Sequence, residues 1–212
     1  MVARLALNAE AVGLTFPSMK FPQPLISGHL LRRYKRFLAD VEMEGGATVT
    51  AHCPNSGSML GLCGVGCPVW LSTAYNPKRK LTHTLELVEA GGTLVGVNTH
   101  RANTIAEEAV REGLVPELAG YRSLRREVKY AGNSRIDLLL EDEAKPPCYV
   151  EVKSVTLRRN TEEKKGIAEF PDAVTARGTK HLHALAEMVR EGARAVMLYL
   201  AQRGDCREFR IA

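Results

Sequence analysis

Three charged side chains on two nearby segments could do chemistry together. Asp137 interrupts the apolar segment 135–140, and Glu151 and Lys153 alternate with valines in the segment 149–154. Alternate residues of a strand share a face, so Glu151 and Lys153 would point the same way. An unpaired carboxylate inside an apolar strand is costly, and if the two segments form a hairpin the three charges converge. Two carboxylates that meet at one point repel each other and therefore need a cation.

The pair of carboxylates predicts a site for a divalent cation. Oxygen ligands together with open water positions suit Mg²⁺ or Mn²⁺. An alternative is that the two carboxylates only form ion pairs with basic residues of the same segments. The candidates for such pairing are Arg135, Lys153 and Arg158.

The elements around these residues alternate between helix and strand. A helix is expected over Asn103–Glu112, with Asn103 as its cap and Gly113 as its stop. A second helix is expected over 172–191, where apolar residues line one face. Candidate strands cover 124–130, 135–140, 148–157 and 195–200. The order α-β-β-β-α-β predicts one mixed sheet with helices packed against it.

The first half of the chain has the pattern of strands and turns. Gly-Gly, Pro-Asn and Asn-Pro turn signals separate short runs rich in apolar residues. Candidate strands cover 28–42, 47–53, 67–73, 85–90 and 92–98. Five short strands in so little sequence suit a small β-barrel of the OB type. The whole chain is therefore predicted to be an α/β protein of the mixed α+β class.

An Asp followed by Glu-x-Lys on the next strand resembles the signature of the PD-(D/E)xK nuclease superfamily. The resemblance implies metal-assisted hydrolysis of a phosphodiester bond. Asp137, Glu151 and the carbonyl of Val152 would hold the metal, and Lys153 would orient or polarise the attacking water. The metal would also stabilise charge that develops on the phosphate.

Both predicted helices could add side chains to this site. Glu107 or Glu108 could approach the same metal, as an acidic helix residue does in many members of that superfamily. Arg177, Lys180 and His181 lie at helical spacing and share one face of the second helix. They either face solvent or contact the scissile phosphate, as residues of the equivalent helix do in the superfamily.

Two basic segments of the first half predict contact with nucleic acid. They consist of Arg32, Arg33, Tyr34, Lys35 and Arg36, and of Lys78, Arg79 and Lys80. OB barrels bind nucleic acid through a strand face and adjoining loops, which combine cations with stacking aromatic rings. Several phosphate contacts would make binding strongly dependent on salt. The alternative is that both segments are only solvated.

Longer strings in both halves resemble the sugar fermentation stimulation protein A family. They cover residues 33–41, 51–59, 76–80, 134–137 and 170–175. The resemblance runs from about Met19 to Arg203. It implies an N-terminal OB fold and a PD-(D/E)xK nuclease-like C-terminal domain, with DNA as the partner.

These observations divide the chain into three parts and leave alternative functions open. Residues 1–18 are an N-terminal extension, 19–98 the OB domain and 99–212 the nuclease-like domain. The fold also occurs in proteins that bind without cutting, so a non-catalytic DNA-binding regulator linked to sugar metabolism is the alternative to a nuclease. RNA processing also remains open, because phosphate contacts do not distinguish the sugars well.

Composition and cysteine spacing limit the partners, the metal and the cellular compartment that we expect for this protein. The chain has 212 residues, 45% of them apolar, and a net charge of +5, which permits a nucleic-acid partner. Its longest apolar run is far shorter than the roughly 20 residues of a membrane span, so no membrane partner is expected. Five cysteines without a secretory signal favour a reducing, cytoplasmic setting, and a homodimer is possible. Zinc is not favoured, because Cys63-x3-Cys67 lacks the usual paired spacing.

Overall fold

The first half of the chain forms six strands: five close into a barrel, and the sixth pairs with the last of them. The computed structural model describes residues 20–76, 78–132, 134–159, 166–171 and 175–212, without the side chain of Arg177. The strands are β1 (Ile26–Tyr34), β2 (Leu38–Met43), β3 (Thr48–His52), β4 (Pro68–Thr73), β5 (His83–Ala90) and β6 (Thr93–Gly96). Their order is β3-β2-β1-β4-β5-β6, and parallel pairing of β3 with β5 closes the first five strands. The predicted OB barrel is confirmed.

The barrel is held closed by apolar side chains that point inward. Leu30, Val41, Val69, Leu71 and Leu85 have no accessible surface and belong to one cluster. Burying a side chain of this size contributes about 1.5–3 kcal/mol. The cluster therefore fixes the positions of the strands, and the exposed loops lie at the ends of these strands.

The predicted strand over 28–42 is wrong, because this segment is a hairpin. The chain reverses between β1 and β2, and Tyr34 pairs with Leu38 across the turn. Lys35 and Arg36 adopt φ values of 47° and 64° there. Residues other than glycine, asparagine and aspartate seldom adopt this conformation, so neither residue type signals a turn in the sequence.

Two helices and seven further strands form the second half of the chain in the described ranges. They are α1 (Thr99–Arg111), β7 (Ser123–Tyr130), β8 (Ser134–Asp142), β9 (Lys145–Val155), β10 (Leu157–Arg158), β11 (Ile167–Phe170), α2 (Ala176–Arg190), β12 (Arg194–Ala201) and β13 (Glu208–Ile211). A 3₁₀ turn, Pro116–Leu118, follows α1. The main sheet has the order β12-β9-β8-β7, and β10, β11 and β13 form a small second sheet. The α-β-β-β-α-β order is confirmed, with β10, β11 and β13 as unpredicted additions.

The two helices cover opposite faces of the main sheet. Ala102 and Ala106 of α1 pack with Leu138 and Val150, whereas Leu185 of α2 packs in a separate cluster on the other face. Strand β12 runs parallel to β9, so the chain must cross over the sheet between these two strands. Helix α2, which directly precedes β12, forms part of this crossover connection. This arrangement places both helices beside the middle strands β8 and β9.

The cap of the first helix differs from the predicted one. The cap of α1 is Asn98, whose side chain accepts a hydrogen bond from the backbone N–H of His100 at 3.1 Å, and Asn103 lies inside the helix. Thr175 caps α2. The predicted start at Asp172 falls on residues 172–174, which lie outside the described residues.

Direct hydrogen bonds join the barrel to the sheet and to α1. The backbone N–H of Gly96 donates to the carbonyl of Gln202 at 2.8 Å, and Thr99 Oγ1 donates to the carbonyl of Pro54 at 2.7 Å. A Cβ at Gly96 would lie 2.7 Å from Gln202 Oε1, so a larger residue there would force the Gln202 side chain to move. Across the described ranges, neither helix is long and apolar enough to span a bilayer.

Candidate metal and nucleic-acid sites

Asp137 lies where β8 and β9 stop pairing in register. The strands pair antiparallel up to Leu138 and Val150. Beyond that pair, the side chain of Asp137 accepts a hydrogen bond from the backbone of β9. Its Oδ2 accepts from the backbone N–H of Val152 at 2.7 Å, and its Oδ1 accepts from Asn103 Nδ2 at 2.8 Å. Burial, and then the charge of Glu151, raise the pKa of the Asp137 carboxyl. The charge of Glu151 therefore disfavours the ionised form of Asp137, and the shared site stays a prediction.

Glu151 is the most enclosed of the three predicted residues, with 3% of its surface exposed. Its Oε1 lies 2.6 Å from Lys153 Nζ and 2.6 Å from His181 Nδ1. Its Oε2 is buried and, within the described chain, has no hydrogen-bond partner. Lys153 and His181 thus contact one oxygen of the carboxylate, while the other oxygen is left without a described donor.

Tyr130 is a member of this cluster that no sequence signal indicates. Its hydroxyl is buried and, among the residues described, finds no partner. Burial, followed by the charges of Glu151 and Asp137, raises the pKa of Tyr130 to about 12. The ring packs against Tyr149 with centroids 5.4 Å apart. At neutral pH Tyr130 therefore presents an uncharged O–H donor beside the two carboxylates.

The residues present fit a hard divalent cation. Glu151 has a buried oxygen without a described partner, and the charge of Glu151 repels the carboxylate of Asp137. A positive charge between the two groups would compensate both unfavourable features. Nowhere in the described ranges do three His, Cys, Asp or Glu side chains form a metal-binding group. Two carboxylates completed by water are a common set for Mg²⁺, which keeps several of its waters in proteins.

Helix α1 contributes Asn103 rather than the predicted glutamates. Glu107 forms ion pairs with Arg111 at 2.9 Å and with Arg126 at 3.3 Å. Glu108 is five residues beyond Asn103 and therefore lies about 140° around the helix. The structure does not bring Glu108 to the carboxylates, because the face that meets Asp137 is the face of Asn103.

Helix α2 contributes His181 to the cluster. Lys180 is exposed and lines a cavity of about 300 Å³ together with Ser134, His183 and Glu187. The side chain of Arg177 lies outside the described part of the structure, so its predicted role stays a prediction.

Three residues of the first basic segment make contacts within the protein. Arg32 Nε donates to Asp40 Oδ2 at 2.7 Å, and Tyr34 donates to the other oxygen of the same carboxylate at 3.2 Å. Arg33 donates to the carbonyls of Asn55 and Gly57 at 2.8 and 3.0 Å. These side chains hold the barrel and its loop together, which sequence spacing alone could not reveal.

The remaining basic residues lie on two exposed loops. Lys35 and Arg36 are exposed on the β1–β2 turn. In the loop between β4 and β5, Lys78 and Lys80 are exposed, and Arg79 donates to Thr84 Oγ1 at 3.0 Å. The exposed cations of these loops therefore lie at the end of the barrel, whereas the exposed Arg32 on β1 is paired with Asp40.

The fold defines a class of two-part proteins, an OB barrel followed by a mixed sheet that carries paired carboxylates. Residues 31–97 match the SfsA N-terminal OB domain, and residues 100–212 match the Sugar fermentation stimulation protein RE domain. The chain belongs to the sugar fermentation stimulation protein (SfsA) family.

Relatives from several organisms share most of this chain. The sugar fermentation stimulation protein homolog of Rhodospirillum centenum is 62% identical over 92% of the chain and 82% of its own length. The homolog of Maricaulis maris is 60% identical, over 89% and 78%. A solved structure of Pyrococcus furiosus SfsA in complex with Ca²⁺ superposes with a TM-score of 0.80 at 26% identity, over 91% and 79%.

Proposed function

We propose that this protein binds DNA and hydrolyses its phosphodiester bonds with Mg²⁺ or Mn²⁺. The observation that carries the proposal is the cluster at the β8–β9 junction. There Asp137 and Glu151 repel each other, Lys153 Nζ lies 2.6 Å from Glu151, and Glu151 Oε2 is buried without a described partner. Family membership adds support, since the P. furiosus relative was solved with Ca²⁺, a cation that also takes oxygen ligands.

In this proposal the chain holds the cation with few side chains. Asp137 and Glu151 supply carboxylate oxygens, and the carbonyl of Val152 is the third protein ligand. When bound, the cation supplies Lewis-acid polarisation of the phosphate and a lower pKa for a coordinated water. Asn103 fixes the Asp137 carboxylate through its 2.8 Å hydrogen bond, so that group needs little reorganisation.

Lys153 acts on the attacking water in this proposal. An ammonium group has three donors, and one of them is directed at Glu151 Oε1 at 2.6 Å. The others remain for the water or for a phosphate oxygen, because the side chain is 20% exposed. His181 holds the same Glu151 oxygen and so keeps the carboxylate facing Lys153.

The barrel supplies the DNA contacts. Lys35, Arg36, Lys78 and Lys80 are exposed cations that can neutralise phosphates without breaking any described ion pair. Arg177 and Lys180 of α2 are proposed to contact the phosphate near the carboxylates. Arg32, Arg33, Tyr34 and Arg79 support binding indirectly, through the internal contacts that shape the two loops.

The test is cleavage of labelled duplex and single-stranded DNA with Mg²⁺ or Mn²⁺, and with EDTA as the blank. We expect metal-dependent cleavage by the wild type, and loss of cleavage with retained binding for Lys153→Ala. Lys145→Ala is a matched control, because Lys145 begins the same strand and packs on Tyr121 far from the carboxylates. Cleavage that persists in Lys153→Ala would contradict the assignment of Lys153.

A second candidate is a DNA-binding regulator linked to sugar metabolism that does not cut. The observation in its favour is that Glu151 Oε1 already has two partners within the chain, Lys153 and His181. Binding without cleavage at any Mg²⁺ or Mn²⁺ concentration would select this candidate.

A further inference from the structure

We infer that the Tyr130 hydroxyl accepts a hydrogen bond from a water molecule of the cation held at Asp137 and Glu151, and so positions that water. The inference deepens the proposed function, on which it rests, by adding a positioning residue that the mechanism above does not use. Tyr130 reaches the cation only through water in this assignment, so it is not itself a metal ligand.

The first observation is that two buried polar groups at one place have no partner. Among the described side chains, the buried atoms without a hydrogen-bond partner are Arg33 Nε, the Tyr130 hydroxyl, Glu151 Oε2 and Arg158 Nε. Both guanidinium groups form hydrogen bonds through their other nitrogens. The Tyr130 hydroxyl, by contrast, has no hydrogen bond at all within that part of the chain. Native proteins pair nearly all buried polar atoms with protein groups, water or ions, so Tyr130 and Glu151 together indicate a missing partner.

The second observation is that Tyr130 and Glu151 lie on the same face of the main sheet. The Tyr130 ring packs on Tyr149 with centroids 5.4 Å apart. Tyr149 and Glu151 are two residues apart in β9, so their side chains share a face and their Cα atoms are about 7 Å apart. Leu185 of α2 packs in one cluster with Tyr130. One turn earlier in α2, His181 Nδ1 lies 2.6 Å from Glu151 Oε1, so the helix covers both groups.

The third observation is that the charges of both carboxylates act on the hydroxyl. After burial, the charge of Glu151 and then that of Asp137 raise the pKa of Tyr130 to about 12. The hydroxyl is therefore uncharged at neutral pH and does not compete with the carboxylates as an anionic ligand. Its neutral oxygen keeps two lone pairs that can accept hydrogen bonds.

A water molecule of a cation fits the space between these groups better than a bare ion. The Tyr130 hydroxyl bonds neither carboxylate directly in the described chain, so a third species has to join them. Mg²⁺ keeps several of its waters when proteins bind it. Such a water directs its oxygen at the cation and both protons outward, so it needs acceptors. Lys153 offers only donors, whereas Tyr130 offers a neutral acceptor beside the two carboxylates.

A cavity next to Tyr130 gives solvent an approach to this place. It has a volume of about 300 Å³ and lies between α2 and the turn that joins β7 to β8. Ala131 and Lys180 line it, and these residues directly follow Tyr130 and directly precede His181 in the chain. A metal site needs such an entry path for the hydrated ion.

The assignment gives Tyr130 opposite effects on folding and on cation binding. Without the cation the buried hydroxyl is unsatisfied, which destabilises the folded protein. With the cation the hydroxyl gains a partner, which favours binding. Phenylalanine keeps the ring that packs on Tyr149 and removes only the oxygen. Tyr130→Phe should therefore stabilise the metal-free protein and weaken its affinity for the cation.

The experiment combines calorimetric titration of the full chain with Mn²⁺ and urea unfolding in EDTA. We expect Tyr130→Phe to bind Mn²⁺ roughly tenfold more weakly than the wild type, while its urea midpoint in EDTA is higher. Water-proton relaxation of the Mn²⁺-loaded protein should show faster exchange of bound water in this variant. Tyr149→Phe is the matched control, because it removes the hydroxyl of the neighbouring ring and should bind Mn²⁺ as the wild type does.

The outcomes separate this inference from the proposed function. The inference is overturned, and metal-dependent cleavage stays a proposal, if Tyr130→Phe keeps the wild-type affinity for Mn²⁺ or loses affinity and stability together. An equal loss of affinity in Tyr149→Phe would also overturn it, because ring packing would then be the cause. A wild type that does not bind Mn²⁺ would overturn both the inference and the metal site. Weaker Mn²⁺ binding by a more stable Tyr130→Phe, without DNA cleavage by the wild type, would support the inference and overturn the nuclease.

Discussion

Asn103, in the second turn of α1, donates a 2.8 Å hydrogen bond to Oδ1 of Asp137 in β8. This bond ties a helix on one face of the sheet to the carboxylate at its centre. The second oxygen of Asp137 is held by the backbone N–H of Val152, so the carboxylate is fixed from two sides. It is therefore a preorganised group rather than a mobile surface charge.

We expect Asn103→Ala to weaken Mn²⁺ binding about ten- to hundredfold, the usual effect of removing a group that orients a metal ligand. Calorimetric titration with Mn²⁺ measures this without any reference to activity. Thr104→Ala is the control, because Thr104 is the next helix residue and its hydroxyl bonds Arg126 instead. Equal affinities for Asn103→Ala and the wild type would show that the contact does not support a metal.

We expect Tyr130→Phe to raise the free energy of unfolding of the metal-free protein by about 1 kcal/mol. The variant removes a buried hydroxyl that has no described partner, and an unsatisfied buried polar group is destabilising. Urea unfolding in EDTA measures the change. Tyr149→Phe, at the neighbouring ring, is the comparison. A less stable Tyr130→Phe protein would mean that the hydroxyl is bonded in solution.

We expect Glu86→Gln to destabilise the protein by about 3 kcal/mol, because it breaks a buried ion pair. Burial alone would raise the pKa of Glu86, but hydrogen bonds from Arg101, Ser72 and Asn98 lower it below its usual value. Arg101 lies 2.9 Å away, at the start of α1. The carboxylate therefore joins the barrel to the helix that carries Asn103.

The lowered pKa of Glu86 fixes the direction of its pH dependence. Its stabilisation is complete above the ordinary Glu pKa, about 4.3, and is lost as the pH falls through the lower pKa of the folded protein. Urea unfolding across acid pH should show the difference between wild type and Glu86→Gln shrinking in that window. Glu89→Gln, on the same strand, is the control. A difference that grew toward acid pH would contradict the assignment.

We expect Arg33→Ala and Lys35→Ala to separate structural from binding cations. Arg33 donates to two loop carbonyls, so its loss should cost about 1–3 kcal/mol of stability. Lys35 is exposed, so its loss should leave stability unchanged and reduce the salt slope of DNA binding by about 1. Urea unfolding and anisotropy at several salt concentrations give the two readouts. The reverse pattern would place the DNA contact on β1.

Much of the architecture follows from local sequence patterns. The apolar periodicity of the second half predicted the α-β-β-β-α-β order, and β8, β9 and β12 formed close to their predicted bounds. The turn signals of the first half predicted the barrel. These patterns work because strand and helix periods decide which residues face a core, and they act within a few residues of one another.

Contacts between distant segments decided the rest. The reversal at Lys35 and Arg36 is seen in the pairing of β1 with β2 and not in the residue types of the turn. Asn103 has the sequence features of a cap, but the start of α1 at Thr99 places it against Asp137, 34 residues away.

The sequence by itself determined the order of elements and the chemical types of the charged residues. Only the tertiary structure decided that Arg33 bonds a loop of the barrel, that Tyr130 lies near the two carboxylates and that Tyr75 is exposed to solvent. The reason is that burial and hydrogen-bond partners are properties of the space around a side chain. That space is filled by segments far away along the chain.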